Sequence, residues 1–107
     1  GYAIAAAQSQ QMYNGVRAMR RALLYEPDAL GRVRVDSRLY SRLKRLVNEY
    51  QSSFHGLSRA DSSFMTASLY YMMGRQDHCL RELEKNHTEN DRAQSTMNLY
   101  RLAGYNY

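Results

Sequence analysis

The chain has 107 residues, 44% of them hydrophobic, with a formal net charge of +5 and one cysteine. This length suits a single domain, 1–107, with a core of modest size. One cysteine excludes an internal disulfide and leaves the compartment, and hence the localisation, unknown. No apolar run is long enough to cross a bilayer, so no membrane insertion is expected.

Residue types favour helix along the whole chain. There are one Pro and six Gly, helix-forming residues are frequent, and β-branched residues are scarce. We therefore predict an all-α fold of about five helices, arranged as antiparallel hairpins, over residues 3–25, 36–55, 58–73, 75–86 and 91–104. The leading Gly1 is typical of a cloning scar, which suggests that the segment is cut from a longer chain.

The first predicted helix is amphipathic. Its apolar residues step by four, three and four positions, which places them on one helical face: Met12, Val16, Met19 and Leu23. Gly15 lies within this pattern and costs about 1 kcal/mol relative to Ala, which indicates close packing of another helix there. Pro27 ends the helix because it keeps Glu26 out of the α region, and residues 28–35 are predicted to form a connection.

The second predicted helix begins at a capping residue, Asp36 or Ser37. Its apolar positions keep the helical step to the end of the segment: Leu39, Leu43, Leu46, Tyr50 and Phe54. The sequence around Gly56 breaks this helix.

A helical hairpin is predicted around Gly74. Ser58 and Asp61 have the spacing of a capping box, with Asp in place of Glu, so the hairpin begins at Ser58 or Arg59. Gly74 ends its first helix, since glycine adopts the left-handed conformation that satisfies the last carbonyls. In its second helix, Cys79 lies on the apolar stripe, where a small buried side chain is favoured over a reactive thiol. The charged residues of that helix are expected to be solvated: Arg75, Arg81, Glu82, Glu84 and Lys85.

The last predicted helix follows a polar loop at 86–90. Asn90 or Asp91 is expected to cap it. The chain stops at GYNY, where another turn would begin.

An internal echo accompanies these elements. The pair Leu-Tyr recurs at intervals of thirty residues, at Leu39, Leu69 and Leu99, and the last two copies share a following glycine, Gly74 and Gly104. Periods of this size are typical of stacked helix pairs.

With these features the chain resembles the tetratricopeptide repeat family. Gly74 precedes Cys79-Leu80 by five residues, where the family has Gly and Ala-Leu. The run from Ala22 to Asp28 is similar to the end of the family's second helix with its closing Pro-Asp, and Ala93 to Gly104 looks like another unit's first helix. The resemblance implies a short right-handed superhelix whose first helices line a groove for a peptide or partner helix. It implies these groove residues: Asp61, Phe64, Ser68, Tyr71, Gln94, Asn98 and Arg101.

Motifs of catalysis or cofactor binding are not found. The sequence contains no glycine-rich phosphate loop, His-rich metal pattern or nucleophile elbow. His78 and Cys79 are adjacent and so lie on different faces of a helix, which argues against a shared metal. Glu82 and Glu84 step by two positions and point apart. We therefore expect no enzyme activity, no metal site and no cofactor.

Positive charge is concentrated in the first half of the chain. Residues 1–56 hold nine Arg or Lys against four acidic residues, whereas the second half balances at six and six. Packing of the first two helices is expected to create a basic face from Arg17, Arg20, Arg21, Arg38, Arg42 and Arg45. Such a face favours nucleic-acid binding, with Tyr side chains stacking on bases. The simpler alternative is that these cations form the solvated faces of amphipathic helices.

Three functions are therefore compatible with the residues. A protein-binding or scaffold module is favoured by the repeat, by the apolar helix at 58–73 and by the abundant Tyr and Met, which suit adaptable interfaces. Nucleic-acid binding through residues 17–45 is the alternative. Self-association is the third, because a short stack leaves apolar ends that two copies can bury together.

Overall fold

Six helical segments lie within the residues described by this computed structural model, which are 2–52, 56–88 and 93–104, with side chains described for 7–52, 56–85 and 93–104. They are α1 (Tyr2–Tyr25), a 3-10 helix (Pro27–Arg32), α2 (Ser37–Gln51), α3 (Arg59–Met72), α4 (Gln76–Thr88) and α5 (Gln94–Leu102). These described ranges contain no strand, so the all-α prediction is confirmed.

Two helix starts confirm predicted caps. The Asp36 carboxylate accepts a hydrogen bond from the Leu39 backbone N–H at 2.8 Å, at the start of α2. The Ser58 hydroxyl oxygen accepts one from the Asp61 backbone N–H at 3.1 Å, at the start of α3. Each bond satisfies a first-turn N–H that has no partner within its helix.

The segment after Glu26 differs from the predicted connection. It begins as a 3-10 helix because the fixed φ of Pro27 suits the first helical position, and its Leu30 is buried in the core. α2 ends at Gln51, and Ala93 is the N-cap of α5, without a side-chain cap. The remaining predicted positions lie outside the described residues: Phe54, Asn90 and Asp91.

The two echoed glycines end helices in the same way. Gly74 and Gly104 have φ of 78° and 90°, which is the left-handed region. After α3, the Gly74 N–H donates to the Tyr71 carbonyl and the Arg75 N–H to the Tyr70 carbonyl, at 3.0 and 2.8 Å. This pair of bonds closes the end of the helix and turns the chain into α4.

α3 is the central helix. It packs most extensively against α4, then α2, and also contacts α1, whereas α5 packs mainly against α1. Every residue from Phe64 to Leu69 is buried, as expected for a helix covered on several sides. Its neighbours contribute fully buried side chains to the same core: Val16, Leu23, Cys79, Leu83 and Leu99.

Cys79 confirms its predicted packing role. Its side chain is fully buried, and burial raises the pKa of the thiol to about 12. Within the described ranges, no helix combines the length and the apolar character needed to cross a membrane.

Candidate functional site

The side chain of Arg20 reaches from α1 across both α3 and α5. Its Nη2 and Nε lie 2.9 and 3.3 Å from Oδ1 of Asp61. Its Nη1 donates to the hydroxyl oxygens of Ser95 and Thr96, at 3.0 and 3.2 Å. The guanidinium carbon stands 4.0 Å from the centroid of the Phe64 ring. One cation therefore links three helices.

This arrangement is stronger than an ordinary surface ion pair. The Arg20 and Asp61 side chains are only 22% and 26% exposed, so solvent screens them less than an exposed pair. The planar guanidinium also offers several donors in a fixed geometry and stacks on an aromatic face. Removing either Arg20 or Asp61 leaves the other charge partly buried without its ion pair, which costs about 1 to 3 kcal/mol.

A second polar contact fixes the end of α1 on α5. Asn98 Nδ2 donates to the Leu23 backbone carbonyl at 2.8 Å. That carbonyl lies in the last turn of α1, where carbonyls have no partner within the helix. On the same face of α1, Val16 and Leu23 are fully buried and bracket Arg20 at spacings of four and three residues. α1 is thus held by two apolar side chains, one cation and its own carboxyl end.

Three of the predicted groove residues contact α1. Asp61 and Phe64 contact Arg20, and Asn98 contacts the Leu23 carbonyl. The face on which the sequence predicts a partner is therefore covered by the chain's own first helix.

The other four predicted groove residues are spread between core and surface. Ser68 is fully buried and its hydroxyl donates to the Phe64 carbonyl within α3, at 2.9 Å. Tyr71 is half-buried, whereas Gln94 and Arg101 are exposed on α5.

The six arginines of the predicted basic face divide into two groups. Arg20 is turned onto α3 and α5, as described above. The other five are exposed on α1 and α2: Arg17, Arg21, Arg38, Arg42 and Arg45.

A basic and aromatic cleft of 180 Å³ lies between α2, the end of α3 and the start of α4. Its lining residues are Tyr40, Lys44, Val47, Asn48, Tyr70, Met73, Arg75 and His78. Arg75 Nε donates to the Tyr40 hydroxyl at 3.4 Å, which ties the corner after α3 to α2. The Tyr70 and His78 rings stand 5.0 Å apart between centroids, tilted by 40°. We call this the basic cleft.

Sequence reasoning missed the basic cleft because its residues come from three helices. The signal that was available is the helical step of Tyr40, Lys44 and Val47 along α2. What the sequence does not give is which residues of the α3–α4 corner face that stripe.

A second, polar cleft of 290 Å³ corrects one prediction. It is lined by Gln51, Ser62, Ser63, Thr66, Glu82 and Lys85. Glu82 was predicted to be solvated, and this is wrong: it is 9% exposed, because it follows Cys79 by one helical turn on the side that faces α3. Lys85 Nζ compensates its carboxylate at 3.1 Å. The Thr66 hydroxyl is buried with no hydrogen-bond partner among the described residues.

Within residues 2–52, 56–88 and 93–104, no three potential metal ligands are grouped so as to hold an ion. Comparison with protein-family models, curated proteins and solved structures found no significant match to this chain.

Proposed function

We propose that this chain is a non-enzymatic protein-binding module, tetratricopeptide-like in its helical hairpins, in which one face of α3 and α5 receives an amphipathic helix of a partner protein. This α3–α5 face consists of Asp61, Phe64, Ser95, Thr96 and Asn98. The contact set of Arg20 carries the proposal, because it is a working example of such an interaction within the chain. Recognition of a helix in a groove uses anchors at positions i, i+4 and i+7. Val16, Arg20 and Leu23 have this spacing on α1.

The family resemblance supports the same face. In that alignment α3 and α5 are the first helices of successive units, the helices that line the groove. Asp61, Phe64 and Asn98 were assigned to the groove by the alignment, and all three contact α1. The two helix-ending glycines, Gly74 and Gly104, add a shared local structure to the echoed segments.

The contacts also define the chemistry of a partner. A suitable helix presents an arginine flanked by apolar residues four positions before and three positions after it. The arginine would pair with Asp61, stack on Phe64 and bond the Ser95 and Thr96 hydroxyls, as Arg20 does. Such a helix must compete with α1, whose covalent attachment gives it an effective concentration in the millimolar range.

A labelled synthetic peptide of residues 2–25 tests the proposal against the full chain by fluorescence anisotropy. The Arg20→Ala substitution weakens the docking of α1 on α3 and α5. We therefore expect the Arg20→Ala chain to bind the peptide at least about tenfold more tightly than the wild-type chain does. The matched control is Arg17→Ala, an equal change at an exposed position of α1, which should bind like wild type. A peptide that itself carries Arg20→Ala should bind weakly to every chain.

A double variant, Arg20→Ala with Asp61→Ala, separates specific docking from general loosening. It should lose the gain in peptide affinity, since the wild-type peptide's arginine then has no carboxylate to meet. Equal binding to the single and double variants would refute the proposal. Circular dichroism establishes that each chain is helical, and Arg20→Lys provides a milder lesion if Arg20→Ala does not fold. Self-association, whether by pairing of apolar ends or by exchange of α1 between two copies, would appear as a dimer by light scattering.

A further inference from the structure

We propose that the basic cleft binds single-stranded nucleic acid, with a base held among Tyr40, Tyr70 and Met73 and the flanking phosphates held by Lys44 and Arg75. This site is separate from the α3–α5 face. Its lining comes from α2, the end of α3 and the start of α4, and it includes none of the residues that contact α1 on that face.

The charge around the cleft suits a polyanion. α2 carries four cations and one acidic residue among its 15 residues. Lys44 and Arg75 stand at the cleft itself and are exposed. Asp77 is an acidic neighbour of the lining, and its carboxylate lies 3.2 Å from His78 Nδ1 and 3.9 Å from Arg81 Nη2. Local charge therefore attracts phosphate groups and releases their counterions.

The lining between these cations suits a base. Tyr40 and Tyr70 are half-buried, so they keep part of their rings in contact with solvent while the helices fix their position. Arg75 holds the Tyr40 hydroxyl, and Tyr70 packs on His78, which restricts both phenol rings before any ligand binds. Val47 and Met73 complete an apolar lining, and the Asn48 amide can bond a base edge. Aromatic faces flanked by cations are the pattern of single-strand binding sites.

A single strand fits this cleft better than two other polyanions. In a duplex the bases are stacked inside, so their faces are not available to Tyr40 or Tyr70. An acidic peptide would satisfy Lys44 and Arg75 but has no flat group for the aromatic lining. The proposal therefore predicts that affinity depends on both kinds of residue, not on charge alone.

Fluorescence anisotropy with the full chain and labelled oligo(U) or oligo(dT) tests the inference. An oligonucleotide of about twelve nucleotides is within the range of lengths that single-strand binding domains cover. Lys44→Gln and Arg75→Gln should each weaken binding about fivefold and lower the slope of log affinity against log salt by about one. The control Arg17→Gln removes the same charge from an exposed position of α1 outside the lining, and it should change affinity by less than about twofold.

The stacking term is tested with a matched pair of tyrosines. Tyr40→Leu should weaken binding about tenfold, since base stacking on an aromatic side chain is lost. Tyr25→Leu is the control, because Tyr25 is 73% exposed on α1 and lies outside the lining. Tighter binding of oligo(U) than of oligo(dU), which differ only in the 2′-hydroxyl, would identify RNA as the ligand, and the reverse would identify DNA.

Four results would overturn the inference: no binding of either oligonucleotide at about 50 mM salt, equal losses in cleft and control variants, equal binding of a duplex, or equal binding of polyglutamate. Thermal unfolding of each variant ensures that a loss of binding is compared only between folded chains. The peptide assay for the α3–α5 face changes none of the residues that line the basic cleft, so either proposal can fail alone.

Discussion

The Tyr50 phenol occupies the space that a β-carbon on residue 15 would require. A methyl group built on Gly15 would overlap the Tyr50 hydroxyl, and that hydroxyl donates to the Met12 carbonyl at 3.0 Å. A side chain at the end of α2 therefore contacts α1 at the one position where α1 has no side chain, which is the close approach predicted from Gly15.

Gly15→Ala should destabilise the protein although alanine is the better helix former. Helix propensity favours alanine by about 1 kcal/mol, but overpacking against Tyr50 costs about 1 to 3 kcal/mol. In a Tyr50→Phe background the overlapping oxygen is gone and the nearest ring carbon would lie 3.6 Å away. There the same substitution should be neutral or stabilising. Urea unfolding of the four chains measures this coupling, and identical effects in both backgrounds would contradict the packing argument.

Arg20→Lys should lower the free energy of unfolding by about 1 to 2 kcal/mol, because lysine keeps the charge and loses the planar, multidentate contact with Asp61, Ser95 and Thr96. Arg17→Lys makes the same change on the exposed face of α1 and should be neutral within about 0.5 kcal/mol. Denaturant unfolding compares the two chains. A similar loss in both would show that Arg20 contributes helix propensity and not docking.

Thr66→Val and Thr96→Val should shift stability in opposite directions. The buried Thr66 hydroxyl has no partner among the described residues, so its replacement by a methyl group should stabilise by up to about 1 kcal/mol. The Thr96 hydroxyl, also buried, accepts from Arg20 Nη1, so its loss should destabilise by about 1 kcal/mol. Calorimetric melting of both variants measures the two changes in stability. A loss of stability in Thr66→Val similar to that in Thr96→Val would show that the Thr66 hydroxyl is hydrogen-bonded in solution and would contradict the prediction.

Gly74→Ala should destabilise by about 1 to 2 kcal/mol, because its φ of 78° is unfavourable for a residue with a β-carbon. Nothing lies within 4 Å of the added methyl group, so the cost arises from the backbone alone. Asn tolerates this conformation better, and Gly74→Asn should recover part of the loss. Thermal melting of the two variants tests the order, and a larger loss for Asn would contradict it.

Cys79 should make stability fall with rising pH above about 9. The folded-state pKa is raised from 9.0 to about 12 by burial, so above pH 9 the unfolded chain loses the thiol proton while the folded chain keeps it. The contribution is fully present below pH 9 and is lost as pH rises towards 12. Between pH 8 and 10.5, the free energy of unfolding should decline less for Cys79→Ala than for wild type. Urea unfolding at about five pH values measures this difference. A thiol reagent should react with native Cys79 only as fast as the protein opens.

The secondary structure could be predicted because its signals are local. Asp36 and Ser58 cap helices through bonds to residues three positions away, and Gly74 closes α3 through bonds within one turn. The candidate site could be predicted in part. The resemblance selected Asp61, Phe64 and Asn98 as groove residues, but not the helix that covers them in this structure.

The sequence by itself determined where the helices run, how they end and which stripes are apolar, since residues a few positions apart decide each of these. The tertiary structure alone decided how the charged and polar residues are used. Arg20, one of several arginines on α1, is singled out by partners 41, 75 and 76 positions away. Glu82 is buried because α4 turns that side towards α3, and the basic cleft exists only where three helices meet. Helical periodicity gives each residue a face, but only the packing of the other helices decides what that face meets.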